Sequence, residues 1–166
     1  MDAVIIDYTN TRAVMQEYAK KAAEIYKRQL AEHGRNATKE LINSVHTEVR
    51  VGKDTIAVDM DLASYWKYVE WDTRPHWAPP GVLERWIVAK RLVPMRDSRL
   101  PERKQIAQLD YLIRRKIAKE GTQGTHDLAT TVELLNREYY ERIVEALTLD
   151  VTEAFDKVFI RTFERI

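Results

Sequence analysis

The chain is predicted to be an α+β protein, mainly helical: a long N-terminal helix packed on a β-hairpin or small antiparallel sheet, with an added C-terminal helical region. Three observations predict it. Glycine and proline are scarce, five of each in 166 residues, which favours long helices over the many turns of a sandwich or barrel. Apolar residues recur at helical spacing over most of the chain. Only one stretch, near residue 50, alternates with a period of two. Residues 1–93 are read as a helix–hairpin–helix core with a Pro/Trp-rich loop and 94–166 as an extension packed on it, within a single domain.

Each element has its own local reason. After a short apolar lead, Val4 to Ile6, Thr9 or Thr11 can cap a helix that runs to Gly34, with Val14, Tyr18, Ala22, Ile25 and Leu30 on one face. Thr38 to Ser44 reads as a short second helix. Val45, Thr47, Val49 and Val51 then alternate with polar residues, as do Ile56, Val58 and Met60, and Gly52-Lys53-Asp54 between them reads as the turn of a hairpin. The apolar face of that hairpin needs cover, which the first helix can supply.

Leu62, Tyr65, Trp66 and Val69 return to helical spacing and end near Asp72. Thr73 to Gly81 is a stiff segment holding Pro75, Pro79 and Pro80. A helix follows over Val82 to Arg91. Pro94 and Pro101 bracket a polar loop. Ile106, Leu109, Ile113 and Ile117 mark an amphipathic helix that stops at Gly121, and Thr125 is placed to cap the next one. Val132, Leu135, Tyr139, Ile143 and Leu147 form an apolar stripe that resumes with Val151, Phe155, Phe159 and Phe163 after a break at Thr148-Leu149-Asp150. Pattern alone also allows a closing strand over Val158 to Phe163.

Composition narrows function by exclusion. There is no cysteine, so disulfides, thiolate metal sites and cysteine nucleophiles are out. The net charge of +1 gives no whole-chain attraction to polyanions. The N-terminus has no signal-peptide pattern, and no apolar run reaches the roughly 20 residues of a membrane span, so the chain reads as a soluble protein made inside the cell.

Candidate chemistry is sparse. His33, His46, His76 and His126 do not fall at metal-ligand spacings. Ser44, Ser64 and Ser98 lie in no nucleophile elbow. Gly121-Thr122-Gln123-Gly124-Thr125 lacks the ending of a phosphate loop and reads as an inter-helix turn. Asp59 and Asp61 share a strand face; with Glu70 and His76 they would make the carboxylate–histidine site of an enzyme reading. Arg114-Arg115-Lys116 and Arg103-Lys104 read as solvated helix faces, with DNA contact as the sharper alternative. The expectation is no catalytic residue, no metal, no cofactor and no small-molecule substrate.

The remaining signal is aromatic. Tyr65, Trp66, Tyr68, Trp71, Trp77 and Trp86 crowd one region that holds all four tryptophans. Tyr65, Trp66 and Val69 can point inward, which leaves Tyr68, Trp71 and Trp77. Either the proline segment folds back over them, or they form a subunit interface, where Trp and Tyr are favoured anchors.

The order of these elements carries a resemblance. Asn36 to Ser44 leads into the hairpin, and Tyr65-Trp66-Lys67-Tyr68-Val69-Glu70-Trp71-Asp72-Thr73 follows it into the proline segment. This resembles the gene-product-ten-like family of neck and tail-completion proteins of long-tailed bacteriophages. Tyr65, Tyr68, Val69, Glu70 and Thr73 match its pattern position by position. Trp66 stands where the family carries a small residue and Asp72 where it carries glycine, and Pro79-Pro80-Gly81-Val82-Leu83 departs from its usual continuation. Ile113 to Thr122 is similar to a later segment of longer members. The resemblance runs in order over residues 9–125, and it implies a non-enzymatic virion protein at the head–tail junction. Such a protein is made in the host bacterial cytoplasm and assembles as a homo-oligomeric ring between connector and tail-tube proteins, with passive contact to passing DNA. A ring joins unlike surfaces; the expected contributors to one of them are Tyr68, Glu70, Trp71, Thr73, His76, Trp77, Pro79 and Trp86. The competing expectation is a helical adaptor that binds a partner protein.

Overall fold

A computed structural model describes residues 6–35, 38–52, 55–92 and 100–163, the side chains of 161–163 excepted. Val4, Ile5, Lys53, Asp54, Pro94 and the Phe163 side chain, all used in the sequence reading, lie outside the described residues. The fold is α+β and 65% helical. In chain order it has α1 (Thr9–Glu32), α2 (Glu40–Ser44), β1 (His46–Val51), β2 (Ile56–Asp61), α3 (Trp66–Glu70), α4 (Glu84–Ala89), α5 (Glu102–Glu120) and α6 (Asp127–Phe163).

The chain forms two compact units. One comprises Met1–Lys27, Val45–Asp61 and Leu128–Ile166; the other comprises Arg28–Ser44 and Leu62–Asp127. Both terminal helices belong largely with the hairpin, because its apolar face packs with theirs.

In the first unit, β1 and β2 pair antiparallel with Thr47 opposite Met60, Val49 opposite Val58 and Val51 opposite Ile56. That register puts the alternating apolar residues on one face and His46, Glu48, Asp59 and Asp61 on the other. The covering core is Ala22 of α1 with Leu135 and Tyr139 of α6, joined by Val14, Tyr18, Ile25, Met60 and Ile143. The stripe read on α1 is therefore its packing face. Tyr18 meets Tyr139 edge-to-face at 5.6 Å between ring centres, and its hydroxyl donates to Asn136 at 3.0 Å. Burial pushes the Tyr18 hydroxyl above its ordinary pKa. Lys21 pairs with Glu138, and Arg142 pairs with Glu17 at 2.6 Å.

The start of α1 corrects the capping expectation. Thr11 is a buried helical residue, and the cap comes from the far end of the sequence. The Asp150 carboxylate accepts the backbone N–H and side-chain amide of Asn10, both at 2.9 Å. It also accepts the N–H of Thr11 at 2.8 Å and the Thr11 hydroxyl at 2.6 Å. First-turn N–H groups have no carbonyl within their own helix, so an anion there fills a standing need. Gly34, with φ of 65°, ends the helix: its N–H donates to the Ala31 carbonyl at 3.0 Å and that of Arg35 to Leu30 at 2.7 Å. This is the paired closure that a left-handed residue permits.

α6 corrects two further expectations. It is one unbroken helix of 37 residues, about 55 Å long, with no break at Asp150 and no closing strand over the described residues. Within it, the hydroxyls of Thr148 and Thr152 donate back to the carbonyls of Val144 and Thr148, each at 2.8 Å. The expected stripe is buried only in part. Leu135 and Tyr139 are in the core with Ile143 packed against them, whereas Val132, Leu147, Phe155 and Phe159 are exposed, and Thr131, Ala146, Asp150 and Ala154 are buried instead. No helix among the described residues is long and apolar enough to cross a membrane.

Candidate functional site

The aromatic and proline-rich segment belongs to the second unit, where three anchors hold it. The first is a short ladder between the end of α3 and the loop 121–126. The N–H of Thr73 donates to the Thr122 carbonyl at 2.9 Å, that of Thr125 to Val69 at 2.9 Å and that of His126 to Glu70 at 3.1 Å. The N–H of Thr122 donates to the Thr73 hydroxyl at 2.9 Å, and that of Gly124 to the Asp72 carboxylate at 2.8 Å. Such close approach requires both glycines. A Cβ on Gly121 would lie 1.9 Å from the Thr73 carbonyl oxygen, and one on Gly124 would lie 2.3 Å from that of Glu70. The N–H groups of Gly121, Thr122, Gly124, Thr125 and His126 are spent on the chain itself, as in a packed turn and unlike a phosphate cradle. The Thr125 hydroxyl bonds the Asp127 carboxylate at 2.7 Å and the Val69 carbonyl at 3.3 Å, just before α6.

The second anchor is Asp110, buried on α5. Its carboxylate accepts the N–H of Gly81 and of Leu83, both at 3.3 Å, at the entry to α4. The third is Arg114, one turn further on. Its Nε donates to the Ala78 carbonyl at 2.7 Å, its guanidinium lies 3.5 Å from Asp110, and it sits 5.7 Å from the centre of the Trp77 ring. Part of the basic cluster read from sequence is therefore structural. Replacing Arg114 with Lys keeps the charge but loses the fork that serves carbonyl and carboxylate together. Urea denaturation should show a loss of about 1–2 kcal/mol.

These anchors settle how the aromatic rings lie. The segment folds back onto α5, with Trp77 and Tyr111 ring centres 6.4 Å apart. Trp71 meets His126 edge-on at 5.5 Å, and Tyr68 lies 6.3 Å from His76, whose Nδ1 is 2.8 Å from the Arg74 carbonyl. The rings nonetheless remain open to solvent: Tyr68 is 62% exposed, Trp71 47% and Trp77 57%. Pro79 is exposed, while Thr73, His76 and Trp86 are half-buried, as are Tyr65, Trp66 and Val69. Glu70 corrects the list of surface residues. At 1% exposure it is an interior residue, because the loop 121–126 closes over the end of α3.

Asp59 pairs with Arg50 on the outer face of the hairpin, and Asp61 stands opposite His46. Glu70 and His76 belong to the other unit. Among the described residues, no group of three His, Asp or Glu is placed to hold a metal ion. The anchoring roles leave little trace in the sequence: Asp110 is a solitary acid there, Arg114 reads as part of a solvated basic face, and the hint of the ladder is a pair of glycines three apart. Compared with known proteins, the chain matches no family model, no characterised sequence and no solved structure.

Proposed function

We propose that this chain is a non-enzymatic structural subunit of a bacteriophage neck, acting at the head–tail junction and assembling as a ring between connector and tail-tube proteins. The observation that carries this reading is the set of exposed rings, Tyr68, Trp71 and Trp77, held in place by Arg114, Asp110 and the Thr73–Thr122 ladder. Large aromatic side chains that are fixed before binding lose little freedom on association, which suits an interface. The match at Tyr65, Tyr68, Val69, Glu70 and Thr73 supports a place in the neck family, with Glu70 serving the fold of the segment. Tyr68, Trp71, Thr73, His76, Trp77, Pro79 and Trp86 are the residues proposed for the interface. The same rigid aromatic surface would serve an adaptor protein.

Particle morphology separates the two. Disrupting the gene, or replacing Trp71 and Trp77 together with Ala in it, should leave filled heads beside unattached tails. The purified double variant should keep the helical signal of the wild type. Normal infectious particles from the disrupted gene would remove the neck reading in favour of the adaptor.

A further inference from the structure

Two exposed helix faces on this chain are complementary to each other. On α6, Tyr140, Val144, Leu147, Val151, Phe155 and Phe159 fall on one side at helical spacing and span about 29 Å. Val151 is half-buried; the others are exposed, Tyr140 to 69% and Phe159 to 59%. The row beside them carries Glu141, Glu145 and Asp156, all exposed and without an ion pair among the described residues. On α5 the outward face reads Lys104, Gln108, Tyr111, Leu112, Arg115 and Lys119. Its apolar centre, Tyr111 and Leu112, continues into Trp77 through the ring contact at 6.4 Å. Over Asp127 to Ile160, α6 carries eight acidic and three basic side chains, whereas α5 carries six basic and three acidic.

We infer that the acid-bordered face of α6 docks on the basic-bordered face of α5 in a second copy of this chain, a head-to-tail contact between unlike surfaces. Like-with-like pairing is disfavoured. Two α6 faces would bring acidic rows together and two α5 faces basic ones, and juxtaposed like charges oppose association. The unlike pairing sets each apolar ridge against the other with opposite charges at the border. A helix pair touching over about 22 Å buries on the order of 1,000 Å² in total, the lower bound for a specific interface, and Trp77 adds to it. A contact of this kind propagates, because each copy keeps one free face of each type; it closes into a ring where the rotation per subunit allows. The inference rests on the self-assembling part of the function proposed above, and it names the surface that receives the α5–Trp77 side.

Sedimentation velocity of the full-length chain tests it through charge reversal. Wild type should associate in the micromolar range. The E141K/E145K variant should be a monomer there, its dissociation constant raised at least about tenfold, and so should R115E/K119E. Mixed in equal amounts, the two variants should assemble again with alternating copies, since each reversed face then meets an opposite one. A monomeric wild type at 100 micromolar (roughly a hundredfold above a micromolar constant), or failure of the mixture to assemble while both variants keep their circular dichroism, would overturn the inference. So would an R115E/K119E variant that associates as well as wild type. Restored assembly in vitro with normal particles from a disrupted gene would remove the neck location and leave this contact standing.

Discussion

Replacing Gly121 with Ala should destabilise the protein by about 4 kcal/mol, more than half the stability of many domains of this size. Two costs combine. Gly121 sits at φ 76° and ψ −161°, a region that residues with a Cβ essentially do not occupy. The added Cβ would also lie 1.9 Å from the Thr73 carbonyl oxygen and 3.1 Å from the Arg74 carbonyl carbon, so the strand-like pairing of Thr73 with Thr122 has to open. Gly81 provides the control. Its φ is also 76°, but a Cβ there meets only the flexible Glu84 side chain, at 3.8 Å. Gly81→Ala should therefore cost about 1–2 kcal/mol, from backbone strain alone. Urea denaturation gives both values. Amide exchange at Thr73, Thr122, Thr125 and His126 should accelerate in Gly121→Ala and stay near wild type in Gly81→Ala. Equal losses in the two variants would mean that close approach contributes nothing beyond φ.

What sequence could foretell divides along a physical line. Periodicity reports which residues share a face, so α1, the hairpin register and α5 were legible. Val14, Tyr18, Ala22 and Ile25 on α1 are packed as their spacing implies, and Val49 stands opposite Val58 in the sheet. Periodicity does not report which face is covered when a helix is apolar on more than one. On α6 the more bulky row, with Phe155 and Phe159, was the natural choice for the core, yet the protein buries the slimmer row of Ala146 and Ala154. Small residues let helices approach closely, and that preference shows only when the partner is known. The same limit applies to acids. Asp110, Asp127 and Asp150 look like solvated charges in one dimension; each is buried, and each accepts hydrogen bonds or lies beside a basic group from a distant part of the chain. Long-range polar contacts leave no period behind. Of the candidate interface, the exposed rings were legible because one short helix cannot bury so many, whereas Arg114 and the two glycines that fix them were not.

Substituting Asp150 with Asn should lower stability by about 3 kcal/mol at neutral pH. The carboxylate takes donors on both oxygens: the two Asn10 groups on Oδ1, the Thr11 N–H and hydroxyl on Oδ2. An amide can keep one pair, but its NH₂ then faces the Thr11 N–H, leaving a buried donor unpaired and removing the anion from the start of α1. Burial by itself raises the Asp150 pKa; the bonds from Thr11, and then from Asn10, outweigh it and hold the carboxyl below its ordinary value. A depressed folded-state pKa contributes stability that is fully present above the unfolded value, about 3.9, and is lost as pH falls through the folded one. The wild-type advantage over Asp150→Asn should thus be constant from pH 7 to about 5 and shrink at pH values below about 4. Urea midpoints for the two proteins across that range measure it. A difference that persists undiminished at the acid end would show that Asp150 acts through its shape and not its charge. Because the bond joins residues 10 and 11 to residue 150, its loss should also fray the first turn of α1, seen as faster amide exchange at Asn10 and Thr11 than at Ala22 in the same helix.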